Sequence, residues 1–273
     1  MKKIFSIVIC IIALVLAGCE QNEPSDGKVS GIGCFSVSES KQVTFSPGNL
    51  QYHPANNVWQ FAANQTDYIG ADNSNISSTY NGWLDLFGWS TSTTNFGVSA
   101  SESTRDYSGS FVDWGANKIG NDAPNTWRTL TYDEWDYLRY NRTNANDLCG
   151  VAQVNGVNGL IFLPDNWTCP AGVTFKSGFH SSYGTEYYAY YAAYQTFTAK
   201  QWSKLEKSGA IFLPAAGARD GSDVYYVLNF GSYWSATEHK SDFARCLYFS
   251  SDEAGVDGDY RYDGLSVRLV KDL

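Results

Sequence analysis

The sequence predicts an α+β domain held behind an export leader. Three observations carry this reading. The N-terminus is basic, then apolar, and stops at Leu16-Ala17-Gly18-Cys19; short aromatic and β-branched runs separated by turn residues occupy both ends of the remaining chain; and two capping boxes mark helices between them.

In the leader, Lys2 and Lys3 precede an apolar run from Ile4 to Leu16, which falls short of the roughly 20 residues of a membrane-spanning helix. Small residues directly before Cys19 fit a lipoprotein signal peptidase, so residues 1–18 are expected to be removed and Cys19 to carry the lipid. Residues 19–32, polar from Glu20 to Gly27, read as a flexible tether, and their acidity resembles the surface-export signals of some Gram-negative lipoproteins. The expected location is the outer membrane, facing the cell surface or the periplasm. Losing Lys2 and Lys3 with no acid takes the net charge from −9 to −11. Such a surface repels nucleic acid phosphates, and no basic cluster offers a lipid headgroup site. The membrane is then reached through the N-terminal lipid only. Once Cys10 leaves with the leader, Cys34, Cys149, Cys169 and Cys246 allow up to two disulfides in three pairings. None has metal-ligand spacing.

Residues 33–273 are expected to form a single domain. Strands are expected at Val43-Thr44-Phe45, Leu50-Gln51-Tyr52 and Val58-Trp59-Gln60-Phe61, divided by turn-forming Ser, Pro, Gly and Asn. Residues 64–125, rich in Asn, Ser, Thr and Gly, read as long packed loops anchored by Trp83, Phe87, Trp89, Phe96, Phe111 and Trp114. The boxes Thr131-Tyr132-Asp133-Glu134 and Thr198-Ala199-Lys200-Gln201 each open a short helix with a Trp and a Leu on one face. Downstream of each, Ile161-Phe162-Leu163-Pro164 and Ile211-Phe212-Leu213-Pro214 read as buried strands stopped by proline. Tyr187, Tyr190, Tyr191 and Tyr194 fall at helical spacing, and that periodicity reads as packing on a core rather than sugar stacking. The C-terminal third is β at Tyr225–Val227, Tyr233–Ala236, Arg245–Phe249 and Leu265–Val270. In the last run Leu265, Val267 and Leu269 face a core while Ser266 and Arg268 face water. Residues 250–264 form an irregular loop before it.

No catalytic chemistry is expected. His53, His180 and His239 are isolated and read as solvated, and no nucleophile elbow, phosphate loop or dinucleotide fingerprint occurs, so no cofactor is implied. A glycosidase carboxylate pair is defined in space rather than in sequence. The oxygen-rich Asp257–Gly264 fails the calcium-loop pattern, because Tyr262 stands where glycine is required and Arg268 where the bidentate Glu belongs. No metal is expected.

Trp127-Arg128-Thr129-Leu130-Thr131 leading to Glu134-Trp135, Leu163-Pro164-Asp165-Asn166-Trp167, Leu213-Pro214-Ala215-Ala216-Gly217-Ala218-Arg219-Asp220-Gly221, Tyr233-Trp234-Ser235-Ala236-Thr237-Glu238 and Gly264-Leu265-Ser266-Val267-Arg268-Leu269-Val270 together resemble the Fibrobacter succinogenes major paralogous domain family of Bacteroidetes lipoproteins. That family is similar to the C-type lectin fold, which formylglycine-generating enzymes and the target proteins of diversity-generating retroelements share. The resemblance implies two helices packed on a twisted, mostly antiparallel sheet with long loops. It does not carry over the oxidase activity, because only Cys246 stands where those enzymes place a cysteine pair, nor calcium-dependent sugar binding, because the lectin triplets are missing. Aligned with the retroelement targets, the C-terminal segment makes Ala244, Leu247, Phe249, Gly255 and Val256 scaffold. It makes Arg245, Tyr248, Asp252, Asp257, Asp259, Tyr260, Tyr262 and Asp263 display positions for a protein or glycan ligand. The implied role is a ligand-binding module whose face spans residues 238–264; a structural or adhesive subunit of a surface assembly is the alternative, and a divergent formylglycine-type oxidase or glycan hydrolase the third reading.

Overall fold

A computed structural model describes residues 33–181 and 187–273. The leader, the tether, Cys19 and the Tyr187 side chain lie outside what it describes. The first strands form as the composition predicts. β1 (Phe35–Ser36) and β2 (Gln42–Phe45) pair antiparallel, and β3 (Leu50–His53) pairs with β4 (Val58–Phe61), setting the rings of Tyr52 and Trp59 4.2 Å apart.

Residues 64–125 contain short 3-10 turns and isolated bridges but no strand. Side chains supply the hydrogen bonds that a ladder would otherwise make. Asn73 uses its whole amide: its oxygen accepts from the N–H groups of Asp85 and Leu86, and its nitrogen donates to Gly70 and to Asp85. Indole N–H groups donate to distant carbonyls, Trp89 to Ser235 and Trp114 to Phe96 at 2.9 and 2.8 Å. Phe87, Trp89 and Trp114 are fully buried, with Phe96 and Phe111 packed against them. His53 departs from the solvated reading: it is buried edge-on against Trp83, with Nδ1 unpartnered.

Both capping boxes are closed as their spacing predicts. Thr131 and Glu134 cap α1 (Tyr132–Asp136), which runs on into a π turn over Tyr137–Asn141, and Thr198 and Gln201 cap α3 (Ala199–Lys207). Glu134 also takes a two-pronged contact from Arg128, at 2.7 and 2.8 Å, and Arg128 reaches Asp272. This ion network ties the helix start to the chain end. β5 (Cys149–Val154), β6 (Val157–Phe162), β7 (Thr196–Phe197) and β8 (Ile211–Pro214) make a sheet in the order β7-β5-β6-β8, antiparallel except for β5 with β7. It is buried on both faces: Val151, Leu160, Phe162 and Leu213 enter one core, while Ala152, Val154, Ile161 and Phe212 enter another with Trp202 and Leu205 of α3. That double burial explains the unbroken apolar runs. α2 (Tyr187–Tyr194) lies against β5 with Tyr191 fully buried.

The molecule is mixed α+β, mostly strand with short helices. The expectation of two helices on one sheet is corrected: among the described residues there are three α-helices and five small, mostly antiparallel sheets. β9 (Ala218–Asp220) pairs with β10 (Asp223–Tyr225), which stops a residue into the strand expected at Tyr225–Val227 because Tyr226 takes the left-handed conformation (φ 59°). β11 (Gly231–Glu238), β12 (Phe243–Phe249) and β13 (Ala254–Tyr260) form a meander, and β14 (Val270–Asp272) joins β2.

Two expectations for the C-terminus fail. The middle of the supposed loop at 250–264 is β13 (Ala254–Tyr260). The run Leu265–Val270 is not a half-exposed strand but a central thread, whose backbone bonds to Phe87, Tyr233, Leu50, Ser46 and Arg128 segments in turn. Neighbours on every side bury Ser266 and Arg268 as fully as Leu265 and Val267. Arg268 donates to the side-chain oxygens of Asn49 and Gln65, 3.3 and 2.7 Å away, and burial without a carboxylate partner lowers its pKa to about 10. Among the described residues no helix is long and apolar enough to cross a membrane.

Candidate functional site

The site grows from the register of the meander. Residues opposite one another in an antiparallel sheet share a face, and successive residues alternate. Ser232 pairs with Tyr248, Trp234 with Cys246, and Tyr248, Cys246 and Ala244 with Gly255, Asp257 and Asp259, so these eight occupy one face. Phe243, Arg245, Leu247 and Phe249 lie on the other face with Ala254, Val256, Gly258 and Tyr260. Helix α1 covers that side, where the Arg245 guanidinium sits 4.8 Å over the ring of Tyr132.

β13 is an edge strand, and its acids close the edge. The ladder continues with Arg261 N–H donating to the Asp242 carbonyl, so by alternation the N–H groups of Gly258 and Tyr260 point away from β12. Each donates instead to the carboxylate of the preceding residue, Gly258 to Asp257 at 2.8 Å and Tyr260 to Asp259 at 3.0 Å. The Asp-Gly-Asp-Tyr repeat thereby fills the donors that another strand would seek.

A cavity of about 620 Å³ opens on the Asp259 face. Tyr225, Tyr226 and Phe230 supply its aromatic wall, and Gly217 and Ala218 its base. Asn229, Ser232 and Asp259 supply its polar groups. Gly217 is required there: its φ is +76°, and a Cβ would fall 2.3 Å from the Tyr225 carbonyl oxygen. Tyr226 and Leu228 also hold left-handed backbone, at a cost of about 1–2 kcal/mol each. The bend leaves the Tyr226 ring 57% exposed beside the rings of Tyr225 and Phe230, whose centroids lie 4.9 and 5.2 Å away.

Beside the cavity the charge is one-sided. Asp259 and Asp263 are hydrogen-bonded to each other; desolvation, that contact and nearby Asp220 push the Asp263 carboxyl up to about 9. The Asp259–Asp263 pair therefore shares a proton well above the ordinary carboxylate range. Tyr225 is pushed far above its ordinary value by burial and by Asp263, Asp259 and Asp220. Arg219, the cation beside them, is wholly buried; its terminal nitrogens donate to the carbonyls of Gly221 and Ser99, and its Nε has no acceptor. Among the described residues no ion pair reaches Asp220, Asp259 or Asp263. Two acceptor oxygens on this side, Asp220 Oδ1 and Asn229 Oδ1, are buried with no donor.

The display positions divide accordingly. Tyr248, Asp257 and Asp259 share the cavity face, with Asp257 3.9 Å from Arg245. Arg245 and Tyr260 lie on the opposite face, and Tyr262 in the following turn stacks on Tyr260 with centroids 5.0 Å apart. Asp252 accepts from the Ser250 hydroxyl in the β12–β13 turn. Asp263 is corrected as a display position: at 6% exposure it is a buried partner of Asp259. Of the scaffold positions, Ala244, Leu247, Phe249 and Gly255 are buried and Val256 is half-buried. Sequence reasoning missed the aromatic wall. Its only signal is the Tyr225-Tyr226 pair just after the Asp220-Gly221 turn.

The buried cysteines offer no reactive thiolate. Cys34 is disulfide-bonded while Cys149, Cys169 and Cys246 are free, so these four are not paired among themselves. Burial pushes Cys149 up to about 12 and Cys246 well above its ordinary value, which keeps both as thiols. Among the described residues no cluster of three or more His, Cys, Asp or Glu is placed to hold a metal ion. Comparison with known proteins finds no matching family model, curated protein or solved structure.

Proposed function

We propose that this chain is a cell-envelope lipoprotein, anchored through Cys19, whose domain binds a protein or glycan ligand through the cavity face of β11–β13. The reading rests on one observation above others: a cavity of about 620 Å³ walled by three aromatic rings and edged by Asn229, Ser232 and Asp259. Wide rings with a few oriented polar groups are the make-up of small-ligand and paratope surfaces. The resemblance to the Fibrobacter succinogenes major paralogous domain family and its C-type-lectin-like fold supports the same role, with Tyr248, Asp257 and Asp259 as the positions open to variation. The deeply buried thiols of Cys149 and Cys246 count against a thiolate oxidase, since a nucleophilic cysteine needs a lowered pKa. The filled donors of β13 count against a subunit that assembles by adding strands at that edge.

The test is a screen of the full-length chain against glycans and surface proteins, beside a Tyr226→Asn, Tyr248→Ala copy. Asparagine suits the left-handed backbone at position 226 and removes the ring. Binding lost with an unchanged melting temperature supports the face; binding indifferent to both changes places recognition elsewhere.

A further inference from the structure

We propose that the cavity receives an alkylammonium cation, seated against the rings of Tyr225, Tyr226 and Phe230 with its charge met by Asp259. This rests on the ligand-binding reading of the same face and specifies its ligand. The wall is aromatic and the adjoining ionisable groups are acids: Asp259 lines the cavity, Asp263 is bonded to it, and Asp220 lies beside them. No Lys or Arg lines it, and the terminal nitrogens of the buried Arg219 donate to backbone carbonyls. Asp220 Oδ1 and Asn229 Oδ1 accept only and have no donor, whereas Arg219, which does not line the cavity, keeps its Nε–H without an acceptor. An anion would meet repulsion, and a neutral sugar could donate hydroxyls but would leave the Asp259 charge without a counter-ion. An ammonium group satisfies both features at once, because a ring face attracts a cation and a desolvated site strengthens that attraction. The negative chain steers cations toward it.

A linked consequence distinguishes this occupant. The titratable groups facing the Asp259–Asp263 pair are Asp220 and Arg219 of β9, Tyr225 of β10, Cys246 of β12, Asp257 of β13 and the nearby Tyr107 and Tyr262, and one proton shared by the pair offsets its second charge. A bound ammonium takes over that role: the proton on the pair leaves to solvent as the cation arrives. Affinity for a cation that does not itself titrate therefore rises as the pH rises toward the value at which the pair ionises.

The experiment uses the full-length chain and calorimetry with choline, with Nα-acetyl-lysine amide, and with 3,3-dimethylbutan-1-ol, the uncharged carbon analogue of choline. Choline represents a quaternary headgroup and the lysine amide a protein side chain, so whichever binds tighter names the source. The proposal expects the alcohol to bind at least tenfold more weakly than the better cation. It expects Asp259→Asn, which keeps an oxygen for the Tyr260 N–H, and Tyr226→Asn each to weaken cation binding at least tenfold. Choline or lysine-amide affinity should rise at least threefold per unit between pH 6 and 8 and lose that slope in Asp259→Asn. Equal binding of the alcohol, or a cation affinity untouched by Asp259→Asn, overturns the cation while leaving the cavity as a binding face. No binding by either cation also overturns it, and the glycan and protein screen then judges the wider reading alone.

Discussion

Replacing Asp263 with asparagine should make the protein more stable at neutral pH. An isolated aspartate titrates near 3.8, whereas Asp263 in the fold is pushed up to about 9 by burial beside Asp259 and Asp220. The folded state thus binds more protons than the unfolded chain between those values, and stability falls as pH rises through that window. Below about pH 4 both states are protonated and the penalty vanishes; above about 9 it stops growing. Each unit is worth about 1.4 kcal/mol, so roughly three units separate the unfolded value from pH 7 and cap the penalty near 4 kcal/mol. Asp259 shares the proton and is partly solvated, which brings the expected gain to about 2–4 kcal/mol. Asparagine has the same shape, cannot ionise, and can still donate to Asp259. At about 2–4 °C per kcal/mol, Asp263→Asn should melt on the order of 10 °C higher at pH 7 and within a degree or two of the parent at pH 4. Circular-dichroism melts at pH 4, 5.5, 7 and 8.5 read this directly. A gain independent of pH, or a loss at every pH, would refute the shared-proton account and make Asp263 an ordinary carboxylate.

Other consequences are equally accessible. Asn73→Ala removes four hydrogen bonds that pin the 69–86 loop, one of them to the buried Asp85 carboxyl; a loss of about 2–4 kcal/mol in chemical denaturation is expected, and a loss below 1 would mean that water replaces the amide. Gln65→Leu takes from the buried Arg268 guanidinium the shorter of its two side-chain hydrogen bonds and leaves the Phe212 N–H without the same oxygen, and should cost about 2–4 kcal/mol. Asp257→Ala with Asp259→Ala frees the outward N–H groups of Gly258 and Tyr260, so size-exclusion chromatography should show concentration-dependent self-association that the parent lacks. Of the three free thiols, a small aromatic disulfide reagent should label Cys169 in the native protein and reach Cys149 and Cys246 only after unfolding.

What the sequence made legible follows from where the physics is local. Thr131 and Thr198 announce their helices because a capping box needs only residues three apart. The strands at Val43–Phe45, Val58–Phe61 and Ile211–Leu213 declare themselves by β-branched and aromatic content. β13 does not, because alternating Asp and Gly from 257 to 260 have the composition of a turn; only the partner strand turns that alternation into a ladder, and only the free edge gives the acids their purpose. Arg268 misleads for the opposite reason. Period-two alternation assumes that one face is wet, yet a thread hydrogen-bonded to several other segments has no wet face, so a polar residue there marks a buried network rather than solvent.

The same distinction governs the candidate site. Asp257, Asp259 and Asp263 lie close in sequence and read as one display surface, but the fold puts Asp259 in the cavity wall, leaves Asp257 exposed on the same face at the sheet edge within 3.9 Å of Arg245, and buries Asp263. The groups that give Asp259 a chemical partner, Tyr225, Tyr226 and Phe230, lie some thirty residues earlier and meet it only because Gly217 allows the 217–230 segment to close against β11. The proposed binding face, if varied along β13, would keep its apolar support outside the segment that varies. Substitutions at Asp257 or Tyr248 would then alter what is recognised while the aromatic wall, and the stability it shares with the core through Ala218 and Tyr225, stays in place.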